Sequence, residues 1–218
     1  MSTAARSRTR RAVSEEDKSA RRNAILAAAD AHFRAVGFEK FSMEVLSREL
    51  EVARGTLYRY FRTREELLLN LYQRQQQQFV GRLIETTHAG VSDSAFLETW
   101  YELSVADPTL VALRMRLTSV IEHNVEQDVL IETKLAMTAD FETLSAHMAA
   151  VLGLPTAQSD QLIVALLALL LGAAQADASP KFDYSDFPSE AQRIISCFAS
   201  REVFLNNGAL ILSGLRNL

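Results

Sequence analysis

Residues 160–175 are apolar on almost every side when wound as a helix, with Leu162, Ile163, Leu166, Leu167, Leu169, Leu170 and Leu171 among them. A helix without a polar face is stable in water only where other elements cover it on several sides. The chain must therefore sheathe this segment, with its own helices or with those of a second copy. The uninterrupted apolar stretch, 162–174, falls short of the roughly 20 residues that cross a bilayer. It reads as a core helix, and no membrane partner is expected. Composition favours helices as the cover: 218 residues include only 8 Gly and 4 Pro, while Ala, Leu, Glu and Arg, all good helix formers, abound.

Other segments beyond residue 75 show the helical period, and none alternates as a strand does. Residues 94–105 gather Phe96, Leu97, Trp100, Tyr101 and Val105 in one helix. Asp107-Pro108 is a cap followed by a first-turn proline, opening a helix through Leu110, Leu113 and Leu117. Residues 129–151 form a long helix with Leu135, Phe141, Leu144 and Met148 inward. After a break at 153–155 comes the apolar segment, then a polar loop over 176–188. Ser189-Glu190-Ala191-Gln192 reads as a capping box opening a last long helix with Ile194, Ile195, Phe198 and Leu205.

At the other end, residues 22–36 set Ile25, Leu26, Ala29 and Phe33 on one helix face. Gly37 supplies a left-handed stop, with Phe38 folding back on the last turn. Ser42 caps a second helix, which carries Glu44 near its amide end and turns Val45, Leu46 and Leu50 inward. A third, short helix over 54–61 places Leu57 and Phe61 on one side. In Thr63-Arg64-Glu65-Glu66 the Thr63 hydroxyl takes the Glu66 amide, and the Glu66 carboxylate is expected to return to Thr63. The fourth helix continues through Leu67, Leu68, Leu71 and Tyr72 toward Phe79.

Charge follows the same division. Residues 1–74 hold 15 Lys or Arg against 10 Asp or Glu, a balance of +5, whereas the remainder stands at −9. A basic end on an acidic body suits a chain whose amino-terminal part meets nucleic acid. Residues 1–19, with Arg6, Arg8, Arg10 and Arg11 and few apolar side chains, are expected to be a tail without structure when unbound. Such a tail serves either as a DNA arm or as a solubilising extension.

Two short helices joined by about three residues form a helix-turn-helix, whose second helix enters the DNA major groove. The side chains on 54–61 fit that use. Arg54 and Arg59 suit guanine edges, and Thr56 suits a thymine methyl or another base edge. Tyr58 and Tyr60 offer hydroxyls to phosphates, and Ser42, Gly55 and Arg64 complete the expected contact set. Spacing alone leaves open a second reading, in which the tyrosines pack and the arginines coat a solvated face.

The run Leu46-Ser47-Arg48-Glu49-Leu50-Glu51-Val52-Ala53-Arg54-Gly55-Thr56-Leu57-Tyr58-Arg59-Tyr60-Phe61, followed by Arg64-Glu65-Glu66-Leu67, resembles the tetracycline-repressor (TetR) family of bacterial transcriptional regulators. Ile25-Leu26-Ala27-Ala28-Ala29 with Phe33 and Gly37-Phe38 is similar to that family's first helix. The resemblance covers about residues 20–72. It implies an all-α fold: an N-terminal three-helix DNA-binding head, and a C-terminal helical domain for ligand binding and dimerisation. The expected division is 1–19 tail, 20–66 head and 67–218 body. It also implies a homodimer, paired through the last two long helices, that releases a palindromic operator in double-stranded DNA when a small effector binds. Two recognition helices about 34 Å apart would read such an inverted repeat. Two departures bear on phosphate contacts: Glu51 stands where the family usually has Gly in the turn, and Ala53 where it has Ser or Thr.

An effector pocket would lie among the middle helices. Trp100, Tyr101, Leu113, Leu117, Met137, Phe141 and Met148 are its candidate walls, and Arg114, His123, Asn124 or His147 its polar anchor. Each apolar member also reads as plain core. A pocket so lined favours an apolar or amphipathic ligand. His123 and Glu126 share a helix face without a further ligand nearby in sequence, so no metal or other cofactor is expected. The single cysteine, Cys197, excludes an intramolecular disulfide and suits a reducing, cytoplasmic setting; it reads as a small buried hydrophobe.

The chain shows no nucleophile elbow, phosphate-cradling glycine loop or zinc-type spacing, which makes an enzyme the weaker class. The competing reading is a helical module that coats DNA without sequence choice or contacts another protein. Base reading and phosphate positioning separate in mutants: Arg59→Ala is expected to change base preference, and Arg64→Ala to weaken all sequences alike, in binding titrations against an operator and its variants.

Overall fold

The computed structural model describes the backbone of residues 3–177, 185–197 and 199–218; the side chains of residues 3–15, 176, 177, 196 and 197 lie outside the description. Phe198, the Cys197 side chain, the tail arginines and much of the expected 176–188 loop therefore fall outside it. Helix α1 spans Thr3–Lys40, α2 Met43–Glu49, α3 Arg54–Tyr60 and α4 Arg64–Thr86. The body follows with α5 Asp93–Val105, α6 Pro108–Arg116, α7 Gln127–Leu152, α8 Thr156–Asp177, α9 Ser189–Cys197 and α10 Ser200–Arg216. A π-helical turn, Leu117–Ile121, and a 3₁₀ turn, Glu122–Asn124, join α6 to α7. No strand occurs among the described residues.

The head closes around Ile25, Leu26, Ala29 and Phe33 of α1, Leu46 of α2, and Leu57 and Phe61 at α3, all buried. His32 of α1 adds a polar tie, its Nδ1 3.0 Å from the Glu49 carboxylate at the end of α2. Helix α4 supplies the floor of the head with Leu67, Leu68 and Leu71, and then enters the body through Tyr72, Phe79, Val80 and Leu83. There it packs on α5, α6 and α7. Behind them, α8 and α10 pack on each other, and α10 also packs on α5.

Several local expectations hold at atomic detail. Ser42 caps α2 by accepting the Val45 amide, and Asp107 caps α6 by accepting those of Thr109 and Leu110 ahead of Pro108. Gly37 breaks α1 and Phe38 packs back against the core, though with φ 74° and ψ 179° the glycine takes an extended ψ rather than the left-handed conformation expected of it.

Five expectations are corrected. Residues 3–19 continue α1, because a run with several Ala and Arg and no Gly or Pro extends readily from a helix already nucleated by packing. The Glu66 amide does donate to Thr63 Oγ1, but the Glu66 carboxylate accepts the Arg62 amide, one residue before the cap, rather than returning to Thr63. The last long helix is two, α9 and α10, and Ser189 is the first residue of α9 rather than its cap. Leu135 points out, 68% exposed, because the inward face of α7 runs through Thr133, Leu144, Ser145, Met148 and Val151, and Leu135 is two residues off that line. Finally, Thr156–Gln175 makes 20 residues of mean hydropathy 1.6, long and apolar enough to cross a bilayer by length and composition. The core-helix reading therefore rests on packing instead: Leu162, Ile163, Leu166 and Leu170 are buried against the body, while Val164 stays 60% exposed.

The dihedrals at Gly37 lie where essentially only glycine is comfortable. A Cβ there would meet nothing within 4 Å, so the cost of adding one is backbone strain alone. Gly37→Ala is expected to destabilise the protein by about 1–3 kcal/mol, read as a lower urea midpoint by circular dichroism.

Candidate nucleic-acid interface

The turn between α2 and α3 decides how α3 is presented. Helix α2 ends in a Schellman arrangement: the Val52 amide donates to Ser47 O at 3.0 Å and the Glu51 amide to Arg48 O at 3.1 Å. This geometry puts Glu51 in the left-handed region, φ 53°, the sole non-glycine residue with positive φ among the described residues. Glycine occupies such a position without steric cost, whereas a side chain costs about 1–2 kcal/mol. The sequence departure at Glu51 is thus a strained residue with its carboxylate exposed beside α3. Ala53 caps α3 without a side-chain bond, as its methyl dictates.

Helix α3 turns Leu57 wholly inward, with Phe61 following it, so the opposite side of the helix faces solvent. Arg54, Gly55, Tyr58 and Arg59 are exposed there, with Thr56 and Tyr60 half-buried at the margins. Arg54 lies over the Tyr58 ring at 5.6 Å and Arg59 over the Tyr60 ring at 5.8 Å. Each aromatic face orients its cation without removing it from solvent. Tyr58 therefore lies outside the core, whereas Tyr60 is half-buried against it, and Arg54 and Arg59 face solvent, as both readings of the spacing expect.

Arg64, expected at a phosphate, is half-buried and has partners within the protein. Its guanidinium donates to Phe38 O, approaches Glu65 at 3.3 Å and stacks over the Phe38 ring at 4.6 Å. Arg116 of α6 lies over the same ring at 5.3 Å. The Arg64 contacts join α4 to the α1–α2 turn. Sequence reasoning also missed Arg62, which pairs with Glu126 and, at 3.4 Å, with Asp128 at the start of α7. Its position just before a capping box gave no sign of partners more than 60 residues away.

The expected effector residues divide. Trp100, Leu113, Leu117 and Met148 are buried, and Met137 and Phe141 are half-buried against the same core. Tyr101 turns to the other side of α5, its hydroxyl 2.6 Å from Ser200 of α10. Among the anchors, His123 and Asn124 are exposed in the 3₁₀ turn. Burial, then the nearby His88, lowers the pKa of His147. The Thr87 hydroxyl donates to Leu83 O, so it accepts from His147 Nε2 at 2.7 Å. Arg114 is buried near Trp100, both in contact with the Phe79 ring. A separate cleft of about 450 Å³ opens between α1, α4 and α7, lined by polar side chains such as Lys18, Arg22, Asn70 and Glu132, and it includes none of the expected effector residues.

A solvent-facing helix of arginine, glycine and tyrosine, held by a tight turn on a packed support, defines a helix-turn-helix DNA-binding regulator. Residues 25–71 match the bacterial regulatory proteins of the tetR family, and residues 73–181 match the tetracyclin repressor-like C-terminal domain. The chain belongs to the TetR family, whose members are DNA-binding transcriptional regulators and not enzymes. No curated protein matches it in sequence. In fold it is similar to the fatty acid degradation regulator FadR from Bacillus halodurans, with TM-score 0.54, 16% identity, and coverage of 88% of this chain and 98% of that one. It is also similar to the regulator SCO7222 from Streptomyces coelicolor, with TM-score 0.55, 20% identity, and coverage of 89% and 96%.

Glu51→Gly is expected to relieve the left-handed strain and stabilise the protein by about 1 kcal/mol in chemical denaturation. A midpoint unchanged or lowered would show that the turn carries no such strain.

Proposed function

We propose that the protein is a homodimeric repressor that reads a palindromic operator through α3 and leaves it when a small apolar or amphipathic effector enters the body. The observation that carries this reading is the exposed Arg54–Gly55–Tyr58–Arg59 face opposite the buried Leu57. Gly55 adds to it. Its backbone is unstrained and a Cβ would meet nothing within 4 Å, so the protein's own packing makes no demand for glycine there. A helical glycine costs stability. Its benefit is close backbone approach by a partner, as a phosphate backbone would need.

Homodimerisation through α8 and α10 is supported by the apolar side chains these helices leave uncovered, Val164 and Leu210 at 60% and 71% exposure. A two-fold pairing would complete the sheathing of α8 and set two α3 helices on one face of DNA. Release by an effector is supported by the way α6 is fastened to the head. Asp107 pairs with Arg34 at 2.7 Å, Thr109 donates to Asp30 at 3.2 Å, and Arg116 pairs with Glu39 at 3.0 Å. Arg114, on the same helix, faces α4. A ligand that shifts α6 therefore pulls on α1.

The experiment is a gel-shift titration with genomic palindromes against excess unrelated DNA. A specific reader keeps its operator; a DNA-coating module loses it. Gly55→Ala is expected to raise thermal stability slightly, by roughly 0.5–1 kcal/mol, while weakening operator binding. Equal or tighter DNA binding by that variant would contradict the proposed approach of DNA to α3.

A further inference from the structure

The described part of the body holds one deeply buried guanidinium that no carboxylate answers. Arg114 of α6 is 6% exposed. Its Nε donates to the Tyr72 hydroxyl at 3.4 Å and its Nη2 to Gln76 Oε1, while Nη1 has no partner. The rings of Tyr72 and Phe79 lie 5.9 and 6.0 Å from its Cζ. Neutral oxygens and ring faces compensate a buried cation only in part, so such a group is costly unless an anion completes it.

Two further unpaired groups stand close by. Trp100 is fully buried, edge-on to Phe79 at 5.1 Å, and its indole N–H has no acceptor. Gln75 is 2% exposed, and both ends of its amide are unpaired. Tyr72, Gln75, Gln76 and Phe79 follow the i, i+3, i+4, i+7 spacing of one α4 face, so these groups converge where α4, α5 and α6 meet. A buried donor left unpaired forfeits its hydration without replacement and destabilises the fold. Three orphaned side chains in one place describe a site prepared for something the chain itself does not supply.

We infer that Arg114, with Trp100 and Gln75, forms the binding site for an organic monocarboxylate with an apolar body. The inference rests on the effector reading above and fixes the effector's charge. One buried cation balances one negative charge, which disfavours a dianionic phosphate. The guanidinium fork matches a carboxylate edge once Gln76 yields its bond, and the indole N–H adds a donor to the same oxygens. The surrounding Tyr72, Phe79 and Leu113 take the apolar remainder. The π-helical turn that directly follows α6 is the kind of irregular segment that allows such a helix to shift and admit a ligand.

Trp100 is the chain's one tryptophan, so its emission reports on this site directly. The full-length protein is titrated with octanoate and cyclohexanecarboxylate, and in parallel with their neutral amides, following Trp100 emission and melting temperature. The carboxylates are expected to bind at least tenfold more tightly than the amides. Arg114→Gln removes that difference and Arg114→Lys restores part of it. Equal binding by the amides, or no binding by any of the four probes, overturns the inference. The isostere comparison on the unaltered protein decides the matter even if Arg114→Gln fails to fold. A labelled operator fragment in the same titration separates the two claims. Carboxylate binding that leaves DNA bound supports this site and overturns effector control; DNA release by acids and amides alike supports effector control and overturns the charge assignment.

Discussion

Burial along a single helix organises the molecule. Leu67, Leu68, Leu69 and Leu71 of α4 are wholly inaccessible, and the same helix goes on to bury Tyr72, Phe79, Val80 and Leu83 in the body. Because α4 is one rigid rod of 23 residues, the two cores it enters cannot be repacked independently. The polar bonds from α1 to α6 run beside it and reinforce the same union. These exposed pairs add little stability individually.

The helix-turn-helix lies at the end of that rod, and its exposed face follows from two inward residues. Leu57 and Phe61 are drawn into the head core, and the helix period then leaves Arg54, Tyr58 and Arg59 no direction but outward. Sequence and function pull against each other at Glu51 and Gly55. The first is a side chain in a glycine's conformation; the second is a glycine where a helix would be steadier with a side chain. Strain and surplus flexibility of this sort gather at sites that serve a partner rather than the fold.

Much of this was legible from the sequence. Caps and breaks depend on neighbouring residues, so Ser42, Asp107 and the stop at Gly37 could be placed without coordinates. The exposed face of α3 was legible for the same reason. What escaped depends on partners far along the chain. Periodicity put Leu135 with the core, yet which stripe of a long, weakly amphipathic helix turns inward is settled by its neighbours, and α4 and α8 selected the stripe through Thr133 and Met148. The helix-start setting of Arg64 pointed to a phosphate, but gave no sign of its bond to Phe38 O, 26 residues away. Among four polar candidates for the pocket, only packing could single out Arg114, since burial without a counter-charge is a property of three helices at once.

The ring of Phe38 touches a cation from each side of the head–body boundary, Arg64 from α4 and Arg116 from α6. The expected division at residue 66 would pass through the first turn of α4, directly beside this sandwich. A reading head excised there would lose both its floor and one of the two charges flanking that ring. Chimaeras that join this helix-turn-helix to another body should therefore carry the chain through the 3₁₀ turn ending at Asn124, treating modularity as a property of sequence families rather than of this folded object.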